Sequence, residues 1–304
     1  MTAGTTQLPS AAPPRPPSSA RRRLAAALDR RPRVRLGFLL AGPIGWLVIA
    51  YLGSLAILFL NAGWSRDAFT GLVKKDWTPA NFVELVNNPI YRTVTFRTLQ
   101  MAVIVTITCA VLAFPIAYYM ARVASPRVRG LLVVAILMPL WSSYLIKAYS
   151  WRQILSADGV LNWALSPLGI KGPGLNEVGL WLVFTYLWLP YMILPVYAGL
   201  ERIPSSLLEA SADLGGRGWT TFRRVILPLV FPALVAGSIF TFSLTLGDYI
   251  APSLITTTQF IGNVILANFG VPNLPLAAAV SVVPLAIVTI YLLIARRLGA
   301  FEAL

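Results

Sequence analysis

Asp248 is the only acidic residue inside any long apolar stretch of this 304-residue chain, and three hydroxyls precede it at helical spacing. Ser238, Thr241, Thr245 and Asp248 are separated by three, four and three residues, which places them on one helical face. A polar stripe in an apolar helix faces protein or water rather than lipid. Its chemistry is that of hydroxyls and an anion set to meet an ammonium group near the outer end of the helix. The same acid can instead bond to a neighbouring helix. Lys147, at similar depth, weighs against a wall selective for cations alone unless its stem carries the charge aside. A second stripe, Trp181, Phe184, Trp188 and Tyr191, follows the same spacing, with Trp141 and Tyr144 in the stretch before it. Aromatic faces hold methylene chains by contact and ammonium groups by cation–π attraction. They serve equally in helix packing and in an interfacial aromatic belt.

A different chemistry sits in the polar segment 200–227, which is too hydrophilic to cross a bilayer. Pro204-Ser205-Ser206 supplies a stop and an N-cap, and Glu209 stands three residues beyond Ser206, the spacing of a capping box. A helix is predicted over 206–214, with Gly215 in the left-handed position just past its end. Leu207, Leu208, Ala210, Ser211 and Leu214 offer a small, apolar contact surface, and Glu209 and Asp213 share a face at i, i+4. A second helix is predicted from Trp219 to Leu227, joined by Pro228 to the next apolar stretch. Such a hook is built to be held by another protein.

The elements that position these residues are membrane helices. The chain is 57% hydrophobic and only 12% charged, with a mean hydropathy of +0.72, far from the charge content of a soluble domain. Six stretches approach the roughly 20 apolar residues a bilayer core requires, at about 38–60, 98–121, 130–149, 178–199, 228–250 and 276–295. The formal charge of +14 raises the question of nucleic acid, but its distribution excludes that partner. Of the 25 basic residues, 17 fall in alternate segments. They are Arg15, Arg21, Arg22, Arg23, Arg30, Arg31, Arg33 and Arg35; then Arg122, Arg127 and Arg129; then Arg202, Arg217, Arg223 and Arg224; and finally Arg296 and Arg297. Positive charge marks the cytoplasmic side, so both termini and the hook are expected inside.

Residues 1–36, rich in Pro, Ser, Ala and Arg, are expected to be disordered. Their arginines would orient the first span and touch anionic lipid, and the run that follows is too long for a cleaved signal peptide. Outside, Thr78-Pro79 is a helix start and Asn87-Asn88-Pro89 a helix stop. A second outer segment, about 150–177, closes in Gly/Pro/Asn turns from Ser166 to Asn176. The single cysteine, Cys109, excludes an internal disulfide, and the absence of histidine removes the commonest metal ligand and general base. No metal site and no catalytic residue is expected.

The hook carries a family resemblance. Glu209-Ala210-Ser211, three residues, Gly215, nine residues, Val225, one residue and Leu227-Pro228 resembles the signature loop of bacterial inner-membrane permeases of ABC importers, with Ser211 for Ala and Val225 for Ile. The resemblance extends over nearly all of 38–297. It implies an all-α polytopic fold of six transmembrane helices, N-in and C-in, of the type I (MetI-like) kind, in a bacterial cell membrane. It also implies that the loop, through Glu209, Ala210, Ser211, Asp213, Leu214 and Gly215, docks in a cytoplasmic ATPase dimer. That dimer holds ATP and magnesium, a second permease subunit completes the path, and an extracytoplasmic solute-binding protein delivers cargo. Within the family, Met138-Pro139-Leu140-Trp141-Ser142-Ser143-Tyr144-Leu145-Ile146-Lys147-Ala148-Tyr149-Ser150-Trp151 looks like the third-span region of the spermidine/putrescine permeases. So do Gly247-Asp248-Tyr249-Ile250-Ala251-Pro252-Ser253-Leu254-Ile255 and Ile261-Gly262-Asn263, although permeases for other solutes share parts of these.

Two rival classes make different demands. A self-sufficient secondary transporter needs buried coupling acids or internal repeats, and neither is evident. A membrane enzyme needs a nucleophile, an acid–base pair or a metal cluster inside the bundle, where this chain offers Asp248 alone. No Gly-x-x-x-x-Gly-Lys-Ser/Thr phosphate loop occurs, so the chain carries no cofactor of its own and energy must come from a partner. Another small solute remains the alternative to polyamine as cargo.

Overall fold

The structure is a computed structural model that describes residues 32–67, 69–270 and 273–300. Most of the basic tail therefore lies outside the described residues. The first helix already begins at Pro32, runs to Leu47, and continues through a π-helical turn (Val48–Leu52) into Gly53–Ala62. By contacts the chain divides into two units, one ending at Leu58 and one beginning at Phe59. In the first unit Trp46, Ile49 and Tyr51 are exposed, an apolar surface suited to lipid or to another membrane helix.

Among the described residues, five helices are individually long and apolar enough to cross a bilayer: Leu39–Ala62, Pro89–Val123, Glu177–Glu201, Gly218–Gly247 and Leu274–Arg297. They are termed here spans one, two, four, five and six. Span two starts nine residues before the expected 98 because Asn88 caps it. The Asn88 side chain accepts from the Ile90 N–H at 3.0 Å, with Pro89 in the first turn. Asn176 caps span four in the same way, accepting from Val178 and Gly179 at 2.9 and 3.0 Å.

The span expected at 130–149 is present but broken. Span three is a bent pair, Pro126–Trp141 and Tyr144–Leu155, meeting at 95° across Ser142-Ser143. Both serines are extended, with ψ of 149° and 136°. The break frees backbone groups that an apolar medium cannot satisfy, and side chains replace the lost partners. Ser142 Oγ and Lys147 Nζ donate to the Pro139 carbonyl at 2.9 and 3.0 Å. Lys147 is thus occupied at the bend, which answers the question its depth raised.

Spans two, four and five pack mutually and form the core. Val105, Cys109, Phe184, Met192, Val196 and Val230 are fully buried in it. Small residues let the backbones approach: a Cβ placed on Gly237 would meet Met192 Sδ at 2.8 Å. At the outer ends, Arg97 pairs with Glu177 at 3.5 Å and donates to the Gln259 carbonyl at 3.2 Å.

The outer segment after span one holds a two-stranded ribbon, Ser65–Arg66 against Val73–Lys74, and a helix, Ala80–Asn87. Thr78 Oγ1 accepts from the Ala80 N–H at 3.2 Å, so the expected start lies one residue later. Asn81 donates to the Ala62 and Trp64 carbonyls at 3.0 and 2.8 Å, tying this helix to the end of span one. Within the ribbon turn, the Lys74 ammonium at 2.7 Å holds the Asp67 carboxyl well below the usual carboxylate range.

Candidate functional site

The hook is an ordered helix, Ser205–Asp213. It begins one residue before the expected 206, and the expected Ser206–Glu209 capping box is not formed. Pro204 occupies the N-cap, and the helix carries no side-chain cap bond there. Proline sets the extended exit from span four (φ −62°, ψ 139°) without a serine cap. The far end matches expectation closely. Gly215 has φ +78°, its N–H bonds the Ala212 carbonyl at 2.9 Å, and the Gly216 N–H bonds the Ser211 carbonyl at 2.8 Å. That is a Schellman end, which needs the left-handed residue glycine supplies without strain.

The helix has two faces. Glu209, Ala210, Asp213 and Leu214 are exposed, Leu214 to 89%. Leu208 packs against the core, and Ser211 Oγ lies 2.9 Å from Thr221 Oγ1. Ser211 therefore belongs to the inner face rather than to the offered surface. The expected second helix is not separate. Gly218–Thr221, a π-helical turn (Phe222–Ile226) and Leu227–Gly247 run on as span five. The widened turn, closed by the Leu227 N–H on the Phe222 carbonyl, comes directly before Pro228, whose ring removes a ladder bond.

Two arginines that the sequence marked only as orientation charges grip this region. Arg122 Nη2 donates to the Leu200 and Ile203 carbonyls, both at 2.6 Å. Arg129 donates to the Met120 and Ala121 carbonyls at 3.0 and 3.4 Å and pairs with Glu201 at 3.2 Å. These contacts put the loop after span two and the hook at the same end of the bundle, as the charge pattern requires.

At the opposite end, the structure joins several of the candidate path residues. Tyr144, first residue after the bend, donates its hydroxyl to Asp248 Oδ2. Asp248 follows the end of span five at Gly247, and its Oδ1 accepts from the Ile250 and Ala251 N–H groups at 2.7 and 3.2 Å. The acid therefore caps the short helix Ile250–Ile255 and holds a neighbouring span. Tyr144 stacks on Trp188 at 6.1 Å, Trp188 meets Tyr191 at 6.1 Å and Phe184 at 6.4 Å, and Tyr191 stacks on Phe240 at 6.2 Å. Trp188 is 8% exposed, and its indole N–H is buried without a partner among the described residues.

Other candidates go elsewhere. Trp141 is 85% exposed and is not brought into the aromatic column. Ser238 Oγ lies 2.6 Å from Tyr291 Oη of span six. Thr241 Oγ1 donates to the Ser238 carbonyl at 3.2 Å and meets Thr106 of span two at 3.5 Å, while Thr245 donates to the Thr241 carbonyl at 2.7 Å. Thr241 is fully buried and Thr245 nearly so. In this conformation the hydroxyl stripe seats span five against its neighbours rather than lining open space.

Residues 113–300 match the model of the binding-protein-dependent transport system inner membrane component family. The chain belongs to this family. It is 47% identical over 290 residues to the inner membrane ABC transporter permease protein YdcU of Escherichia coli K12, covering 90% of this chain and 92% of that one. It is 32% identical to the spermidine/putrescine transport system permease protein PotB of the same organism, over 84% and 94% of the two chains. The PotB of Haemophilus influenzae is 34% identical over 67% and 73%. Among solved structures, a bacterial alginate ABC transporter in complex with an alginate pentasaccharide-bound periplasmic protein superposes with a TM-score of 0.72. That likeness covers 92% of this chain and 98% of the other at 16% identity, and it concerns the fold.

The protein is thus an inner-membrane importer permease, a transport component rather than an enzyme. The matched region opens in the last third of span two at Ala113 and takes in the bent third span, the hook and spans four to six. The permease fold expected from the sequence is the one observed, apart from the break in span three.

Proposed function

We propose that this permease forms, with a second permease subunit, the translocation path of an ATP-driven importer of polyamines of the spermidine/putrescine type. Segment 200–227 couples it to an ATPase dimer that holds Mg-ATP, and an extracytoplasmic solute-binding protein delivers the cargo. The observation that carries the coupling is the hook helix. Its outward face, Glu209, Ala210, Asp213 and Leu214, stands exposed on an ordered helix with a defined glycine end. A permease without a nucleotide site of its own has to receive work from outside, and this face is the ordered surface at its basic end.

The cargo reading is supported by the names and identities of the PotB relatives and by the chemistry around Asp248. An acid beside a column of Tyr144, Trp188 and Tyr191 suits a chain of methylenes between ammonium groups. On this reading Asp248 exchanges its Tyr144 partner for an ammonium group as the outer end opens. Closure of the ATPase drives the hook, and the spans alternate between inward-open and outward-open arrangements.

The test is ATPase stimulation of the whole assembly in proteoliposomes by its binding protein, loaded in turn with spermidine, putrescine, an amino acid and a sugar. Stimulation by at least one polyamine and not by the controls is expected. Stimulation confined to a control solute would overturn the cargo reading and leave the coupling reading standing.

A further inference from the structure

The hook is held at both of its ends by one helix, span two. At the leading end, span four stops at Glu201, and a helix end leaves carbonyls without intrahelical partners. Arg122 reaches across from the π-helical turn Tyr119–Val123, at the end of span two, and takes two carbonyls there. Its Nη2 donates to Leu200 O, the buried last turn of span four, and to Ile203 O, two residues before the hook helix begins. Arg129 closes the same corner from behind, binding the Met120 and Ala121 carbonyls of that π turn and the Glu201 carboxylate. Tyr197 Oη donates to Glu201 at 2.9 Å and completes the joint.

At the trailing end, Phe222 opens the second π turn, Phe222–Ile226, and packs edge-on against Phe114 of span two with centroids 5.1 Å apart. Trp219 stacks on Phe222 at 5.2 Å. The hook helix is tied to this piece by the Ser211–Thr221 bond and by its Schellman end. A helix held at one end can pivot about that end without moving its support. A helix held at both ends by one neighbour carries that neighbour with it.

We propose that Arg122 is a positioning residue for coupling: with Phe222, it makes displacement of the hook a displacement of span two, the helix at the centre of the core. The proposal rests on the reading of the hook as the ATPase contact. A guanidinium is suited to the task because it presents several donors in a fixed plane to two carbonyls at once. A lysine at the same place has a shorter, pivoting head and restores the joint only in part. The two π turns mark where the ladders of spans two and five are widened, as is frequent at functional positions.

The test uses the complete assembly, permeases with ATPase and loaded binding protein, carrying Arg122→Ala, Arg122→Lys or Phe222→Ala in this chain. Each is combined with Ala210→Cys on the exposed hook face for cross-linking to the ATPase; the native Cys109 is buried. The reading is the ratio of binding-protein-stimulated to basal ATPase per assembled complex. The ratio is expected to fall about tenfold in Arg122→Ala and in Phe222→Ala, within the range of coupling free energies, and to recover in part in Arg122→Lys, with the cross-link retained in all three. An unchanged ratio per complex in Arg122→Ala, or in the other two variants if that one does not assemble, overturns the proposal. Loss of the cross-link in the chain with native Arg122 and Phe222 would instead sink the ATPase contact itself.

Discussion

Asp248 carries several bonds at once, and the way they divide decides what its substitution reports. One carboxylate oxygen caps the helix Ile250–Ile255 and the other takes the Tyr144 hydroxyl. Asp248→Asn keeps an acceptor for the cap but removes the charge, whereas Asp248→Ala removes both. Loss of the cap alone should cost about 1 kcal/mol, seen as a lower thermal midpoint of the purified protein in Asp248→Ala but not in Asp248→Asn. If the charge meets an ammonium group, Asp248→Asn should cut polyamine uptake about tenfold, and Tyr144→Phe, which leaves the charge, far less. Equal losses in the two would mean that the pair acts only as a latch between spans three and five. The sequence singled out Asp248, Tyr144, Trp188 and Tyr191 one by one from rarity and helical spacing. It did not reveal that they meet, because the meeting depends on where span three turns. Trp141, three residues from Tyr144, looked equivalent and ends up 85% exposed on the other side of that turn.

At the scale of elements, hydropathy located each long apolar helix of the described residues but was blind to continuity. An averaged window over 130–149 stays apolar across a 95° bend, since Ser142 and Ser143 dilute it little. The bend becomes legible only by following the backbone groups: Pro139 lies inside the helix, and two polar side chains stand within reach of its carbonyl. Replacing Lys147 with Met should leave that carbonyl with Ser142 alone and destabilise the protein by about 1 kcal/mol, measured as a shift in thermal midpoint. Cation uptake by the folded fraction should not change. A rise in that uptake would mean that Lys147 faces the path after all. The hook shows the converse. Its glycine end was legible to the residue, because a left-handed position has one preferred occupant, whereas its start was misplaced because Pro204 does the work expected of Ser206. Gly215→Ala should therefore cost about 1 kcal/mol through backbone strain, and Gly215→Asn less. The coupling ratio of ATPase stimulation should fall in the same order. A Gly215→Val chain with normal coupling would show that the left-handed end is dispensable.

At the scale of the whole molecule, class was legible because it is a sum over many residues: the six apolar stretches and the low charge. What ties the hook to its neighbours was not, since the links are arginines bound to backbone carbonyls, and a carbonyl has no letter in the sequence. Arg122 and Arg129 counted as orientation charges until their partners were seen. Glu209 is the opposite case, an exposed acid with a role implied by resemblance and, so far as the fold is concerned, nothing to do. Its removal leaves the helix, the Schellman end and the contacts of Leu208 and Ser211 in place. An exposed substitution of this kind should change folding stability by less than about 0.5 kcal/mol. Glu209→Ala is therefore a clean probe of assembly: the variant should reach the membrane in normal amount with an unaltered thermal midpoint, while co-purification of the ATPase and solute uptake fall together. Solute binding by the separate receptor should be unaffected, because that step precedes contact with the permease. Uptake equal to that of the unaltered permease would remove Glu209 from the docking surface and shift the contact toward Asp213 and Leu214 on the same exposed face.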